Sequence, residues 1–540
     1  MGKFWYKNAI IYELSVKAFK DSNNNGLGDL KGLVSKLDYL QNLGINCIWL
    51  LPIYPSPLRD DGYDIEDYYS IHKDLGTIDD FKTFVRGAHK RGIKIITELV
   101  LNHTSDKHYW FKEACKGEDS PYHDYYIWSP TPDKYNDARI IFVDSETSNW
   151  TYNHQAGKYY MHRFYHHQPD LNYKNVKVVE EIKKIIEYWL EIGVDGFRFD
   201  AAAHICKKEG TSCENLPETH KIIKDLRSFI DQKAKDIVLL AEVNQWPEDL
   251  LPYFGEGDEF HMAYNFPLMP RMFMAIEQEH HGPIVDIMKQ LPPIPPNCQW
   301  ATFLRNHDEL TLEMCTDEER DYMYNAYAED DLMKLNVGIR RRLTPLLDND
   351  QKKLELMYFL LFTLPGAPII YYGDEIGMGD NIYLGDRNGV RTPMHWDDGK
   401  NAGFSNCPPS KLYAPVISDP EYNYSTVNVE VQKNKPSSLY NFLKKIIKIR
   451  KKNKAFGDGE LEFLYPDNKK VLVFLRKRKT KTYLVVLNLS KSAQPVEIML
   501  QAYNGKALHE LLGDTYFPPI GELPYFITLN PYGYYMFEIK

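Results

Sequence analysis

One cycle recurs along this chain of 540 residues: an amphipathic helix, a glycine that stops it and, a few residues later, a short, largely apolar strand. Leu30, Leu33, Val34, Leu37, Leu40 and Leu43 stand at helical spacing, Gly44 closes the run, and 47–51 follows as the strand. The cycle returns with a helix over 78–92 before strand 94–101, and again with a helix over 176–193 before strand 196–200. A strand apolar on both faces must be covered on both faces, which is the setting of parallel βα units. Residues 10–16, 238–243, 260–266, 299–304 and 367–372 read as further strands, bringing the count to eight. Eight parallel units predict a closed (β/α)8 barrel, an α/β fold, rather than an open sheet.

The spacing of the units divides the chain. Residues 1–103 form the first part of the barrel, and 104–174, rich in Tyr, His, Asp and Trp, are too long for a plain loop and read as an inserted subdomain after the third strand. Residues 175–450 carry the rest of the barrel, with a charged helical insertion at 309–350 and a long loop over 376–436. After a helix near 439–449 the pattern changes to short alternating strands, so 451–540 predict a carboxy-terminal β-sandwich.

Composition narrows the partners. Lys+Arg 65 against Asp+Glu 75 leaves a net charge of −10, so nucleic acid and anionic membrane are disfavoured and a small neutral ligand is expected. Basic runs at 450–454 and 476–481 read as a solvated helix end and a hairpin turn. The seven cysteines are scattered without a Cys-x-x-Cys pair, as expected of reduced thiols in a cytoplasmic protein. The amino-terminal MGKFWYKNAIIYELSV runs directly into a strand pattern, with no cleavable apolar segment, and Tyr6 spoils a myristoylation signal. The apolar run 357–372 is broken by Pro365, Gly366 and Pro368, too short and too interrupted to span a bilayer. A homo-oligomer is compatible with the sequence.

Polar residues that close apolar barrel strands are the first candidates for chemistry. Asn102 and His103 close the third strand, Arg198 and Asp200 the fourth, Glu242 the fifth, and Asn306, His307 and Asp308 the seventh. Arg198 and Asp200 share a strand face, and the arginine is expected to lower the pKa of Asp200. Adjacent strands lie about 4.8 Å apart, so Asp200 and Glu242, if level, stand near the ~5–5.5 Å carboxyl separation of a retaining glycosidase. The apolar run before Glu242 is expected to keep it protonated as the acid. Taken singly, each group also reads as a structural ion pair, a helix cap or a solvated rim residue. In DSNNNGLGD, Asp21, Asn23, Asn25 and Asp29 alternate as in the first half of a calcium loop, but Gly32 stands where an EF-hand has glutamate, and an Asx/Gly turn fits equally.

These residues lie in motifs that resemble the α-amylase superfamily: ELVLNH, GFRFD, LLAEV and FLRNHD. The resemblance implies that Asp200 is the nucleophile, Glu242 the acid/base and Asp308 the transition-state stabiliser. It gives His103, Arg198 and His307 to the glucosyl ring or the nucleophile, with Tyr63 and Asp64 of DDGYD completing the subsite. It also implies calcium held by Asp21, Asn23, Asn25, the Leu27 carbonyl and Asp29. A second calcium site would use Asn102, Asp170 and the His204 carbonyl, although Lys207 stands where an acidic ligand is expected.

Longer stretches, among them EGTSCENLPETH, RNHDELTLEM, VGIRRRLTPLLDND and YYGDEIGMGDNIYLGDRNGVRTPM, closely resemble the trehalose synthase family. That family interconverts maltose and trehalose by intramolecular glucosyl transfer. The freed glucose must stay in while water stays out, so the 309–350 insertion and the loop carrying Arg391, counted with the substrate-binding residues, are the expected lid. Phe199, the AAAH segment through His204, and His395 depart from the family pattern, the first two at the pocket's support and the third with consequences expected for the balance of isomerisation and hydrolysis. No kinase-like region follows the sandwich, so a fused maltokinase activity is not expected. The competing readings are a hydrolysing α-glucosidase or α-amylase on the same scaffold, and a non-catalytic carbohydrate-binding barrel.

Overall fold

The computed structural model describes residues 4–540; the first three residues of the amino-terminal segment lie outside them. Eight parallel strands close the barrel in sequence order: β1 (Ile11–Leu14), β2 (Cys47–Leu50), β3 (Lys94–Val100), β4 (Gly196–Asp200), β5 (Val238–Ala241), β6 (Met262–Tyr264), β7 (Gln299–Phe303) and β8 (Ala367–Tyr371), with β8 pairing back onto β1. All the residues of β1, β2, β4 and β8 are buried, as continuous apolar strands between helices require. The accessible surface is 20722 Å², against roughly 20,000 Å² expected from mass scaling.

Local chemistry sets the ends of the elements. Helix Ile78–Lys90 begins at a reciprocal capping box between Thr77 and Asp80, and helix Val176–Ile192 stops at Gly193, left-handed at φ 105°. The helix expected to run up to Gly44 is divided into Leu30–Ser35 and Leu37–Leu43. Lys36, at the break, holds its ammonium 4.0 Å from the Trp396 ring centroid. Gly196 lets β5 approach closely, since a Cβ there would lie 2.3 Å from Val238 Cγ1. Gly196 pairs with Val238 and Phe199 with Ala241, and this register brings the next residues, Asp200 and Glu242, level.

Residues 104–174 carry a small antiparallel sheet of Trp128–Ser129, Trp150–Asn153 and Lys158–Met161. The 309–350 insertion is less helical than its sequence predicts, with one helix of useful length, Asp317–Tyr327, beside three two-residue strands. At the carboxy terminus a six-stranded antiparallel sheet faces a two-stranded one. Val471, Val473 and Leu475 point into the core between these sheets, and Leu472 and Phe474 point to the barrel, the period-two alternation of a strand packed on both faces. The basic runs are not wholly solvated. Arg450 donates to the carbonyls of Phe362 and Gly366, and Arg476 to those of Thr363, Phe456 and Gly459. Both guanidiniums are buried; Arg450 ties helix Leu439–Lys452 to the barrel segment before β8, and Arg476, through Thr363, joins the sandwich to the barrel. The 357–372 run is divided between helix Gln351–Thr363 and β8, and no helix among the described residues is long and apolar enough to cross a membrane.

Candidate active site

At the carboxyl end of the barrel Arg198 gathers three acids. Its Nη1 lies 2.7 Å from Asp200 Oδ1 and 2.9 Å from Glu98 Oε2, while Nη2 lies 2.6 Å from Glu242 Oε1. Asp200 and Glu242 are thus held on opposite arms of one guanidinium and face one pocket. The pocket has a volume of about 150 Å³ and is also lined by Asp60, Tyr63, His103 and Asp308. Ala201, immediately after the nucleophile candidate, adopts φ 48°, a left-handed strain of the kind that clusters at functional sites. Its N–H donates to Glu242 Oε2 at 3.0 Å, which fixes the second carboxyl against the turn that follows the first.

The electrostatics differ from the sequence expectation at Asp200. Burial, and then the charge of Glu242, push its carboxyl well above the ordinary range, and Arg198 only opposes them. The arginine's influence is divided among three acids, so it does not win. Glu98 is raised to about 7 by burial, against Arg198 and a hydrogen bond from Trp49. Asp308 goes the other way. Burial would raise it, but His307, Arg387 and Arg391 hold it well below its ordinary value, with Arg391 Nη2 at 2.8 Å and Arg387 Nη1 at 3.2 Å from Oδ1. His307 stacks on Tyr63 (centroids 5.5 Å, interplanar 6°) and meets its hydroxyl at 2.8 Å. On the other side its Nδ1 lies 2.6 Å from Glu13 Oε1 at the end of β1, and burial lowers its pKa to about 3. His103, lowered to about 4 by burial, reaches the Tyr63 carbonyl through Nε2.

Other predicted residues stand elsewhere. Asp64 does not line the pocket, because its carboxylate accepts from the Ser56 hydroxyl and the backbone N–H groups of Arg59 and Asp60 and so shapes the loop. The acid of that motif that does line the pocket is Asp60, raised to about 7 by burial. Arg391 is a buried strut behind the pocket wall, bonded to Asp308, Asp61 and the His307 carbonyl. The arginine of this loop that faces the pocket is Arg387, four residues earlier, which lies over Phe142 and pairs with Glu309 at 3.2 Å. Sequence reasoning passed over Arg387, Asp60 and Glu98, although each lies within or beside a motif already singled out. Phe199 packs edge-on against Phe260 outside the barrel lumen, His395 meets the Val427 carbonyl at 2.9 Å away from the pocket, and the His204 side chain itself lines the pocket.

The second calcium site is corrected. Lys207 Nζ lies 2.7 Å from Asn102 Oδ1 and 2.6 Å from Asp170 Oδ2, so an ammonium takes the oxygens the cation would use. In the 21–29 loop the donors fit a hard cation: two carboxylates, two amide oxygens and the Leu27 carbonyl. Their oxygens also close Asx turns, with Asp21 Oδ1 accepting from Asn23 N and Asn24 N, Asn23 Oδ1 from Asn25 N, and Asn25 Oδ1 from Leu27 N. Asp29 caps helix Leu30–Ser35 through Gly32 N.

Three segments form the rim of the pocket and bond to one another. Arg139 of the inserted subdomain reaches both oxygens of Glu313 at 3.1 and 3.2 Å, and Glu214 at 3.0 Å. Asn244, after β5, donates to the same Glu313 at 2.9 Å. Arg340 of the insertion donates to the carbonyls of Ile382, Leu384 and Asp386 on the long loop.

Comparison with known proteins agrees with this geometry. The family described as alpha amylase, catalytic domain matches residues 13–459, and that described as maltogenic amylase, C-terminal domain matches 461–536. The chain is 53% identical over 549 residues to a trehalose synthase/amylase TreS of Mycolicibacterium smegmatis, covering 99% of this chain and 93% of the relative. It is 52% identical over 548 residues to a trehalose synthase of Pimelobacter sp., covering 99% and 96%. The crystal structure of the trehalulose synthase MutB from Pseudomonas mesoacidophila superposes with a TM-score of 0.80 at 27% identity, with both chains covered completely. A barrel ending in these acids, with full-length relatives above half identity, belongs to the trehalose synthases of the α-amylase family.

Proposed function

We propose that the chain interconverts maltose and trehalose by retaining glucosyl transfer within one pocket, with some hydrolysis to glucose. The observation that carries this reading is the grip of one guanidinium on Asp200 and Glu242 at the level ends of neighbouring strands. The reaction needs Asp200 ionised and Glu242 protonated; burial and the charge of Glu242 oppose the first condition, and Arg198, in contact with both carboxyls, is the cation that favours it. Asp200 attacks the anomeric carbon, the glycosidic C–O bond breaks, and Glu242 gives the proton to the departing glucose oxygen. The freed glucose turns, its anomeric hydroxyl attacks the same carbon from the same face, Glu242 takes the proton back, and the Asp200 ester bond breaks. Asp308, kept ionised by its arginines, accepts hydrogen bonds from the ring hydroxyls, and Tyr63, His103 and His307 wall the ring.

The freed glucose must turn faster than it escapes. The bonds from Arg139 to Glu313 and from Arg340 to the long loop support a rim that holds it and keeps water out. Asp21, Asn23, Asn25, the Leu27 carbonyl and Asp29 would hold calcium, which would supply positive charge to brace that loop. Asp21 already joins it to the 403–405 segment through Ser405. Seven unpaired cysteines support a reducing, cytoplasmic setting. Product analysis after incubation with maltose tests the proposal. Trehalose is expected as the major product with little glucose; mostly glucose and no trehalose would leave a hydrolase.

A further inference from the structure

A larger cavity, about 780 Å³, lies between the inserted subdomain and helix Pro217–Lys233. It shares no lining residue with the catalytic pocket, yet a single stretch of chain serves both. Ala201, Ala203 and His204 face the catalytic side, and Ile205, Cys206, Lys207 and Lys208 face the cavity.

Two aromatic rings give the cavity its character. Trp128 is half-buried and stacks with His123 (centroids 5.1 Å, interplanar 3°), and its indole N–H already donates to the His123 carbonyl. Phe111 also stacks with it (5.8 Å, 4°) and Tyr160 meets it edge-on, so what remains for a ligand is the part of the indole that lines the cavity. Tyr135 is held in the left-handed region at φ 57°, a conformation that a bulky residue keeps only when its surroundings impose it. Here the ring stacks on Trp150 (6.0 Å, 4°), and the backbone N–H donates to the Glu209 carboxylate.

The charges also speak to the ligand. Lys158 pairs with Glu118, Lys208 with Glu218 at 3.2 Å, and Lys207 with Asp170 at 2.6 Å. Three of the five lining lysines are neutralised in this way, and Lys174 and Lys221, which form no ion pair among the described residues, are left to donate to hydroxyls. The volume suits a small-molecule site. Aromatic surface alternating with mostly paired charges and the Asn172 amide suits a molecule with apolar ring faces and a polar hydroxyl edge.

We propose that this cavity is a second, non-catalytic binding site for a neutral oligosaccharide. Trp128 and Tyr135 lie against the sugar faces, and Asn172, Lys174 and Lys221 bond its hydroxyls. The site stands whether the catalytic pocket isomerises or hydrolyses its substrate.

Calorimetric titration of the full chain carrying Glu242→Gln with maltotriose is expected to resolve two binding events. Adding Ile222→Trp, which fills the cavity from a half-buried helix position, is expected to remove one event and keep the other. Tyr135→Gly is a second variant with little risk to folding, since it deletes the ring while relieving the left-handed strain, and it is expected to remove the same event. Each substitution, made alone in the native chain, should leave maltose turnover unchanged. A single event in the Glu242→Gln chain, two events surviving both substitutions, or displacement of the second event by inorganic phosphate would overturn the proposal.

Discussion

Around Arg198 three acids share one guanidinium, whereas around Lys207 one acid and one amide meet one ammonium. Both clusters are buried at the carboxyl ends of barrel strands, so the difference lies in charge balance rather than position. The Arg198 cluster has more acid than base, and the carboxyls of Asp200 and Glu98 are driven toward holding a proton. The Lys207 cluster is neutral and satisfied. Proton-transfer chemistry needs the first condition and a structural strut needs the second, so substitutions should have opposite effects in the two places.

The largest effect is expected at Asp200. Asp200→Asn should lower maltose turnover by about 10⁴- to 10⁶-fold, the range for loss of a nucleophile, while resistance to denaturant rises, because a carboxyl pushed upward by burial and by Glu242 is relieved. Lys207→Ala should reverse the pattern. It leaves Asp170 buried without its cation, a loss of about 3–5 kcal/mol, read as a lower denaturation midpoint, while the protein that remains folded still converts maltose. Retained activity in the first variant, or unchanged stability in the second, would erase the distinction between the clusters.

Arg139→Ala tests the rim. Arg139 is exposed, and its pairs with Glu214 and Glu313 should be worth about 0–1 kcal/mol to folding, so stability should barely move. The ratio of glucose to trehalose released from maltose should rise several-fold, because the freed sugar escapes before it turns. An unchanged ratio would remove this contact from the lid.

The barrel was legible because its rule is local and repeated: helix, glycine, apolar strand. The carboxylates at 200, 242 and 308 were legible because strand ends are where such barrels put polar groups. What stayed hidden depends on loop geometry and on competition among charges. Asp60 and Asp64 sit in one motif, and only the folded loop, in which Ser56 and two backbone amides take Asp64, shows which of them faces the pocket. Arg387 and Arg391 share a loop in the same way, one facing the pocket and the other propping it. The pKa of Asp200 depends on how many acids divide Arg198, and although Glu98 opens the ELVLNH motif, only the folded register of β3 against β4 shows that it is one of them.

Glu98 provides the gentlest test of that competition, since it accepts hydrogen bonds from Trp49, Tyr63 and Arg198 without standing among the reacting atoms. Its carboxyl is raised from 4.5 to about 7 in the folded chain. For a group raised in this direction the folded state binds the proton more tightly, so its contribution to stability is complete below 4.5 and is lost as pH rises through about 7. Glu98→Gln cannot lose a proton and should flatten that decline, seen as denaturation midpoints that fall less between the two pH values than those of the native chain. Parallel curves would mean that Arg198 satisfies Glu98 fully, and the excess acid of the cluster would then reside on Asp200 and Glu242 alone.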